Sequence, residues 1–207
     1  MKRLLFLFIL VMSIFTPSNA TNNSKKEINE VIYELYSRIN NYWKTDARLN
    51  NNNPPQLIIT DKKSIVMGGC LYENETSKIL HSHFCGKTNT IFLTNEDINY
   101  FYERHNRIGV LFLAAHEVAH SIQYGVSSGM KKPLRELQAD CIASRLVKMF
   151  EPNMSNDEKA EFSEMFIFSD SDTHGTGIQR MNAIKMGLGL SKGDCVAEEI
   201  MDIISKK

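Results

Sequence analysis

The chain has 207 residues, with 24 basic and 24 acidic side chains and a formal net charge of zero. That length leaves room for one domain with a sizeable core, and an even charge without a basic cluster excludes the electrostatic footprint of a nucleic-acid-binding protein. The four cysteines suit a disulfide framework only if the chain leaves the reducing cytosol.

The N-terminus predicts that it does. Lys2 and Arg3 precede a nearly unbroken apolar run over residues 4–15, and Ser18-Asn19-Ala20 sets small residues at the cleavage position. This is the order of a secretory signal peptide over residues 1–20. The run is shorter than the roughly 20 residues a bilayer-spanning helix needs. An uncleaved N-terminal anchor is the alternative. With the signal removed, the protein is expected in the periplasm or outside the cell, with no membrane span.

Ser24-Lys25-Lys26-Glu27 is a capping-box pattern, and Ile28, Val31, Ile32, Leu35 and Ile39 follow at helical spacing, predicting a helix to about Trp43. Residues 50–55, rich in asparagine and proline, break it. Residues 57–60, 64–67 and 90–94 read as short strands. From Ile98 the chain is mostly helical. Residues 108–123 form an apolar helix interrupted by His116, Glu117, His120 and small residues. After a Gly/Ser break at 125–129, Pro133 suits the first turn of a helix over 134–150. Ser155-Asn156-Asp157-Glu158 is a second capping box, opening a helix to about Phe168. Residues 169–175 read as loop, and 178–186 and 195–204 as helices. The expected fold class is α+β, one domain, mostly helical with a small β-sheet beside the helix of His116 and His120. Residues 21–66 supply its N-terminal helix and strand region, and 67–207 carry the chemistry.

Four cysteines allow three pairings, and spacing alone does not choose among them. The expected pairs are Cys70 with Cys85 and Cys141 with Cys195. A competing reading comes from the alternation of His81, His83 and Cys85. On a strand these share a face, and with Cys70 they could form a second zinc site. An oxidising compartment favours the disulfides.

His116-Glu117-Val118-Ala119-His120 matches the H-E-x-x-H pattern. Residues four apart on a helix differ by about 40° and about 6 Å, so both imidazoles can point at one metal. Glu117 lies about 100° around the helix, where it can take a proton from a zinc-bound water whose pKa falls to about 7. Without a partner, such groups are costly in an apolar helix. The bland alternative is a pair of core histidines satisfied by hydrogen bonds. A catalytic zinc also needs a third protein ligand and an open position. Glu136 and Asp140, one turn apart, fit a ligand and a carboxylate that orients His116 or His120. The competing reading is a solvated helix face with Arg135 and Lys148 nearby. His174, in a polar loop, is equally permitted by spacing as third ligand, and Arg180 is a candidate partner for a site carboxylate.

These residues resemble the neutral zinc metallopeptidase family of bacteria. The resemblance lies in Glu136-Leu137-Gln138-Ala139-Asp140-Cys141 following His116-Glu117 and His120, in Thr173-His174-Gly175 with Gln179-Arg180, in Cys85 ahead of residues 91–93, and in the late Cys195. It spans roughly residues 68–196. It implies a zincin-like fold with Glu136 as third ligand, as in gluzincins. His174 then stands where a histidine of related peptidases helps to stabilise the tetrahedral intermediate. The segment before Met67 resembles nothing in the family, and the family's usual membrane anchor has no counterpart here.

The expected function is hydrolysis of a peptide or protein substrate with one Zn2+ per chain, Glu117 as general base and His174 supporting the oxyanion. A carboxylate-bridged two-metal protein would need two E-x-x-H pairs, and Glu117 with His120 is the only one. A non-catalytic zinc-binding or interaction protein keeping the fold is the alternative, although a structural site has no use for Glu117.

Overall fold

A computed structural model of the chain describes residues 18–45, 53–61, 65–66, 77–78, 81–126 and 130–205. Residues 1–17 of the expected signal peptide lie outside them, as does Cys70. The predicted N-terminal helix is α1 (Ser18–Thr45); it starts before the Ser24 capping-box pattern, which lies inside the helix and does not open it. Ile28, Val31, Ile32, Leu35, Ile39 and Trp43 are all buried, so the apolar stripe is the face that α1 lays on the core.

Five strands follow: β1 (Gln56–Thr60), β2 (Ile65–Val66), β3 (Ser77–Lys78), β4 (His83–Cys85) and β5 (Thr90–Thr94). One sheet has the order β1-β5-β4, and β2 pairs with β3 separately. Central β5 is buried along its whole length. Strand β1 runs parallel to it, with Leu57 opposite Ile91 and Ile59 opposite Leu93. Strand β4 runs antiparallel, with His83 opposite Phe92 and Cys85 opposite Thr90. The expected strands correspond to β1, β2 and β5. Strands β3 and β4 are too short to carry a period of their own, and pairing makes them strands. Among the described residues, β4 is an edge with β5 on one side only.

Helix α2 (Asn95–Val126) begins directly after β5 and contains a break at Asn106 (φ 51, ψ −150), a backbone region that asparagine enters more readily than most residues. The Thr94 hydroxyl accepts from the Asp97 N–H at 3.2 Å, and the Asp97 carboxylate accepts from the Ser82 N–H at 2.7 Å. These bonds fasten the start of β4 to the start of α2. After the break, α2 is the apolar helix expected over 108–123, with Val110, Phe112, Ala115 and Val118 in the core.

Helix α3 (Leu134–Phe150) packs against α2 and against α5 (Gly177–Leu188). A Cβ on Gly187 would run into the Cys141 carbonyl, so the absence of a side chain lets α5 lie directly on α3. Helix α4 (Asn156–Glu164) opens with the predicted Ser155/Glu158 capping box but stops short of Phe168. The N–H groups of Phe166, Ile167 and Ser169 bond three residues back, a tightening that ends α-helical pairing. It places Phe166 in an aromatic cluster, 4.9 Å from Phe112 and 5.6 Å from Phe162 by ring centroids. Helix α5 starts at its own capping box, Thr176 with Gln179. The last helix, α6 (Ala197–Ser205), starts just after the residues expected to open it.

The Cys141–Cys195 disulfide forms as expected, with a Cα–Cα distance of 5.7 Å. Cys85 is also disulfide-bonded, and its expected partner, Cys70, lies outside the described residues. This corrects the competing second zinc site: the Cys85 sulfur is committed, His81 is exposed, and the His83 ring stacks on Phe92 at 5.3 Å. The architecture is α+β and mostly helical, with one hydrophobic cluster joining α1, β5, α2, α3 and α5. No helix among the described residues is long and apolar enough to cross a membrane.

Candidate metal centre

Helical spacing in α2 brings His116 and His120 to one side of the helix, with their Nε2 atoms 3.1 Å apart. Helix α3 crosses at this level and offers Glu136, whose Oε2 lies 3.0 Å from His120 Nε2 and 3.5 Å from His116 Nε2. The loop before α5 brings His174 Nε2 to 3.5 Å from the same oxygen. His116, Glu136 and His174 each offer a ligand atom within 4.8 Å of the others'. Three imidazoles therefore face one carboxylate oxygen.

The opposite ring nitrogens decide what the inner ones can do. His120 Nδ1–H donates to Gln123 Oε1 at 2.8 Å. The Gln123 amide nitrogen in turn donates to the Arg135 carbonyl at 2.7 Å and to Gln138 Oε1 at 3.0 Å. Gln138 then donates to the Cys195 carbonyl at 3.0 Å, so every amide in the relay has one consistent orientation. His116 Nδ1 lies 2.9 Å from Asp140 Oδ1; the approach is close but off the N–H axis, an electrostatic contact more than an aligned hydrogen bond. His174 Nδ1 pairs with the Thr173 hydroxyl at 2.8 Å. His116 and His120 can thus carry their proton on the outer nitrogen and present a lone pair inward, whereas the Thr173 hydroxyl can donate to His174 Nδ1 and leave the proton on His174 Nε2.

Asp140 is fully buried and held by Arg180 through two bonds, Nε to Oδ2 at 2.8 Å and NH2 to Oδ1 at 3.1 Å. Arg180 also lies over the Phe166 ring, 5.0 Å from its centroid. Burial opposes ionisation of Asp140, but Arg180 and His116 outweigh it and hold the carboxyl well below the usual range. Glu136 is lowered in the same way: burial opposes it, and His116 and His120 override. Burial disfavours a charged His116, yet contacts with Asp140 and Glu136 push its pKa up to about 10. His174 is lowered, chiefly by burial, with Glu136 acting against the shift.

These features test whether a metal fits. The 3.1 Å approach of His116 and His120 Nε2 needs a positive centre between the two nitrogens; a proton on one of them supplies it in the metal-free protein, and a metal ion can take its place. A tetrahedral ion with ligands at about 2.0–2.1 Å sets its ligand atoms roughly 3.3–3.4 Å apart. The observed separations of 3.0 to 3.5 Å match that spacing. The donor set of imidazole nitrogen and carboxylate oxygen suits zinc.

Glu117 is buried beside the cluster rather than within it, and lines a cleft of about 570 Å³. The floor of the cleft is the imidazole–carboxylate group. One wall is β4, with His83 and Phe84, together with Tyr124 of α2; the other is the start of α3, with Lys132 and Arg135. The Phe84 and Tyr124 rings meet edge-on at 5.8 Å, and a Cβ on Gly86 would strike the Tyr124 ring.

All seven site residues singled out from the sequence converge here: His116, His120, Glu136, Glu117 and His174 on the cleft, and Asp140 and Arg180 behind it. The structure assigns Asp140 to His116 rather than His120. Sequence reading missed Gln123 and Gln138. Gln123 had a signal, since it follows His120 by three residues on the same helix; Gln138 had none. Comparison with known protein families, characterised proteins and solved structures finds no significant match to this chain.

Proposed function

We propose that this protein is an exported zinc-dependent peptidase with a zincin-like fold. The observation that carries the reading is the convergence of His116 Nε2, His120 Nε2 and Glu136 Oε2 within 3.0–3.5 Å, with Glu117 on the cleft beside them. The resemblance of the same residues to neutral zinc metallopeptidases supports it.

His116, His120 and Glu136 are the proposed ligands. When bound, zinc supplies polarisation of a substrate carbonyl and acidification of a water. Glu117, which lines the cleft, is the proposed base: it accepts a proton from the attacking water on a carboxylate oxygen and later delivers it to the leaving nitrogen. His174, held at Nδ1 by Thr173, is the proposed donor to the carbonyl oxygen as charge develops there. Among the described residues β4 pairs with β5 on one side only, and an extended peptide could add to its other side by backbone hydrogen bonding. Asp140 with Arg180, and Gln123 with Gln138, fix the two histidine rings.

One observation favours a second reading. His174 Nε2 is 3.5 Å from Glu136 Oε2, close enough to serve as a fourth ligand and close the site, which would make the metal structural. Metal analysis combined with peptide cleavage separates the two. The peptidase reading expects about one zinc per chain and cleavage that a chelator abolishes and zinc restores. Stoichiometric zinc without cleavage would instead favour the closed site.

A further inference from the structure

The two walls of the cleft differ in charge. On the β4 side, His83, Phe84 and Tyr124 present rings. On the α3 side, Lys132 and Arg135 present cations. The Arg135 guanidinium lies 3.4 Å and the Lys132 ammonium 3.8 Å from Glu136 Oε1. That is the oxygen facing away from the imidazoles, which gather at Oε2. Among the described residues, neither cation has another carboxylate within ion-pair distance. Arg135 Nε is buried without an acceptor among the described residues, and an N–H in that state favours a turn of the side chain toward an incoming acceptor.

A ligand carboxylate would satisfy all of this. A divalent ion at Oε2 would draw on the negative charge that Glu136 now shares with both cations. Among the described residues, the one other carboxylate lining the cleft, Glu117, is assigned to proton transfer. The guanidinium offers paired N–H donors matched to a carboxylate, and the ammonium adds a mobile point charge. Both side chains are about half exposed, so an incoming group can reach them. Their contact with Glu136 puts them next to the bond to be cut.

We infer that Lys132 and Arg135 form a carboxylate-binding subsite, and that the cleft selects peptides with a carboxylate beside the scissile bond, from an acidic side chain or a free C-terminus. The cut itself rests on the peptidase reading; the binding preference does not. The test is calorimetric titration of zinc-loaded Glu117→Gln protein with short peptides identical except for Asp, Asn or Lys beside the central bond, each as free acid and as amide. The Asp amide should bind about 10- to 100-fold more tightly than the Asn amide if the side chain is the source. A gain confined to free acids assigns the C-terminus. Arg135→Glu should shift the preference toward the Lys peptide, Lys132→Met should shrink it, and Arg135→Lys should retain it in weakened form because the charge stays while the paired donors are lost, with zinc content measured on each variant. Equal binding of all peptides, or an unchanged preference in Arg135→Glu and Lys132→Met, would overturn the inference. A preference that follows these cations while wild-type protein cuts none of the peptides would support the subsite and refute the peptidase reading.

Discussion

His116 and His120 face the same point from one helix, yet their outer nitrogens are held by opposite chemistry. Behind His116 is a charged clamp, with buried Asp140 gripped by Arg180 at 2.8 and 3.1 Å. Behind His120 is a neutral relay through Gln123 and Gln138 to the Cys195 carbonyl. The clamp brings full charges into the core, so each partner depends on the other. The relay brings only dipoles, and the loss of one amide strands a hydrogen bond rather than an ion. One imidazole is therefore positioned and made more basic by charge, and the other is chiefly oriented.

The largest break in this comparison should come from Arg180→Leu, which strips the buried Asp140 carboxylate of its stronger cation and leaves it only the contact with His116. Unfolding free energy of the metal-free protein near neutral pH should fall by about 3–5 kcal/mol, read from urea denaturation. The pH dependence has a definite sign. The folded-state pKa of Asp140 is depressed, so its pairing stabilises wild type above the ordinary Asp range and is lost as pH falls through the lowered value. In the variant the carboxyl takes up its proton at higher pH, which relieves the unpaired charge. The gap between the two proteins should therefore be widest near neutrality and should narrow below about pH 4. A gap that widens in acid would contradict the clamp.

A smaller effect is expected from Asp140→Asn, which keeps the shape but removes the charge behind His116. Zinc affinity should fall by about 10- to 100-fold, measured by competition with a chromophoric chelator. Gln123→Leu should weaken zinc least, by up to about 10-fold, because His120 loses orientation but no charge partner. If Gln123→Leu proves more damaging than Asp140→Asn, the contrast between clamp and relay is wrong.

Much of this was legible in the sequence because helices advertise themselves locally. The apolar spacing of α1, the Ser155 capping box and the one-turn offset of Glu136 and Asp140 are each readable within a few residues. Strand β4 was not, since three residues carry no period and β5 makes them a strand across a turn. Nor was the end of α4, where burial of Phe166 among Phe112 and Phe162 overrides local helical preference. At the site, residue types and spacing pointed to the residues that converge, but the division of labour behind them depends on how α3 and α5 cross α2. Spacing alone could not assign Asp140 to His116, or recruit Gln138 through a carbonyl that the Cys141–Cys195 disulfide anchors.

The central claim is that Glu117 moves protons beside a metal held by its neighbours. It is tested most directly by purifying Glu117→Gln beside wild type and measuring zinc content and peptide hydrolysis on the same samples. The account predicts about one zinc per chain in both proteins, with hydrolysis by the variant lost almost entirely. Loss of zinc from the variant would make Glu117 a ligand, and undiminished hydrolysis would remove it from the chemistry; either result contradicts the account.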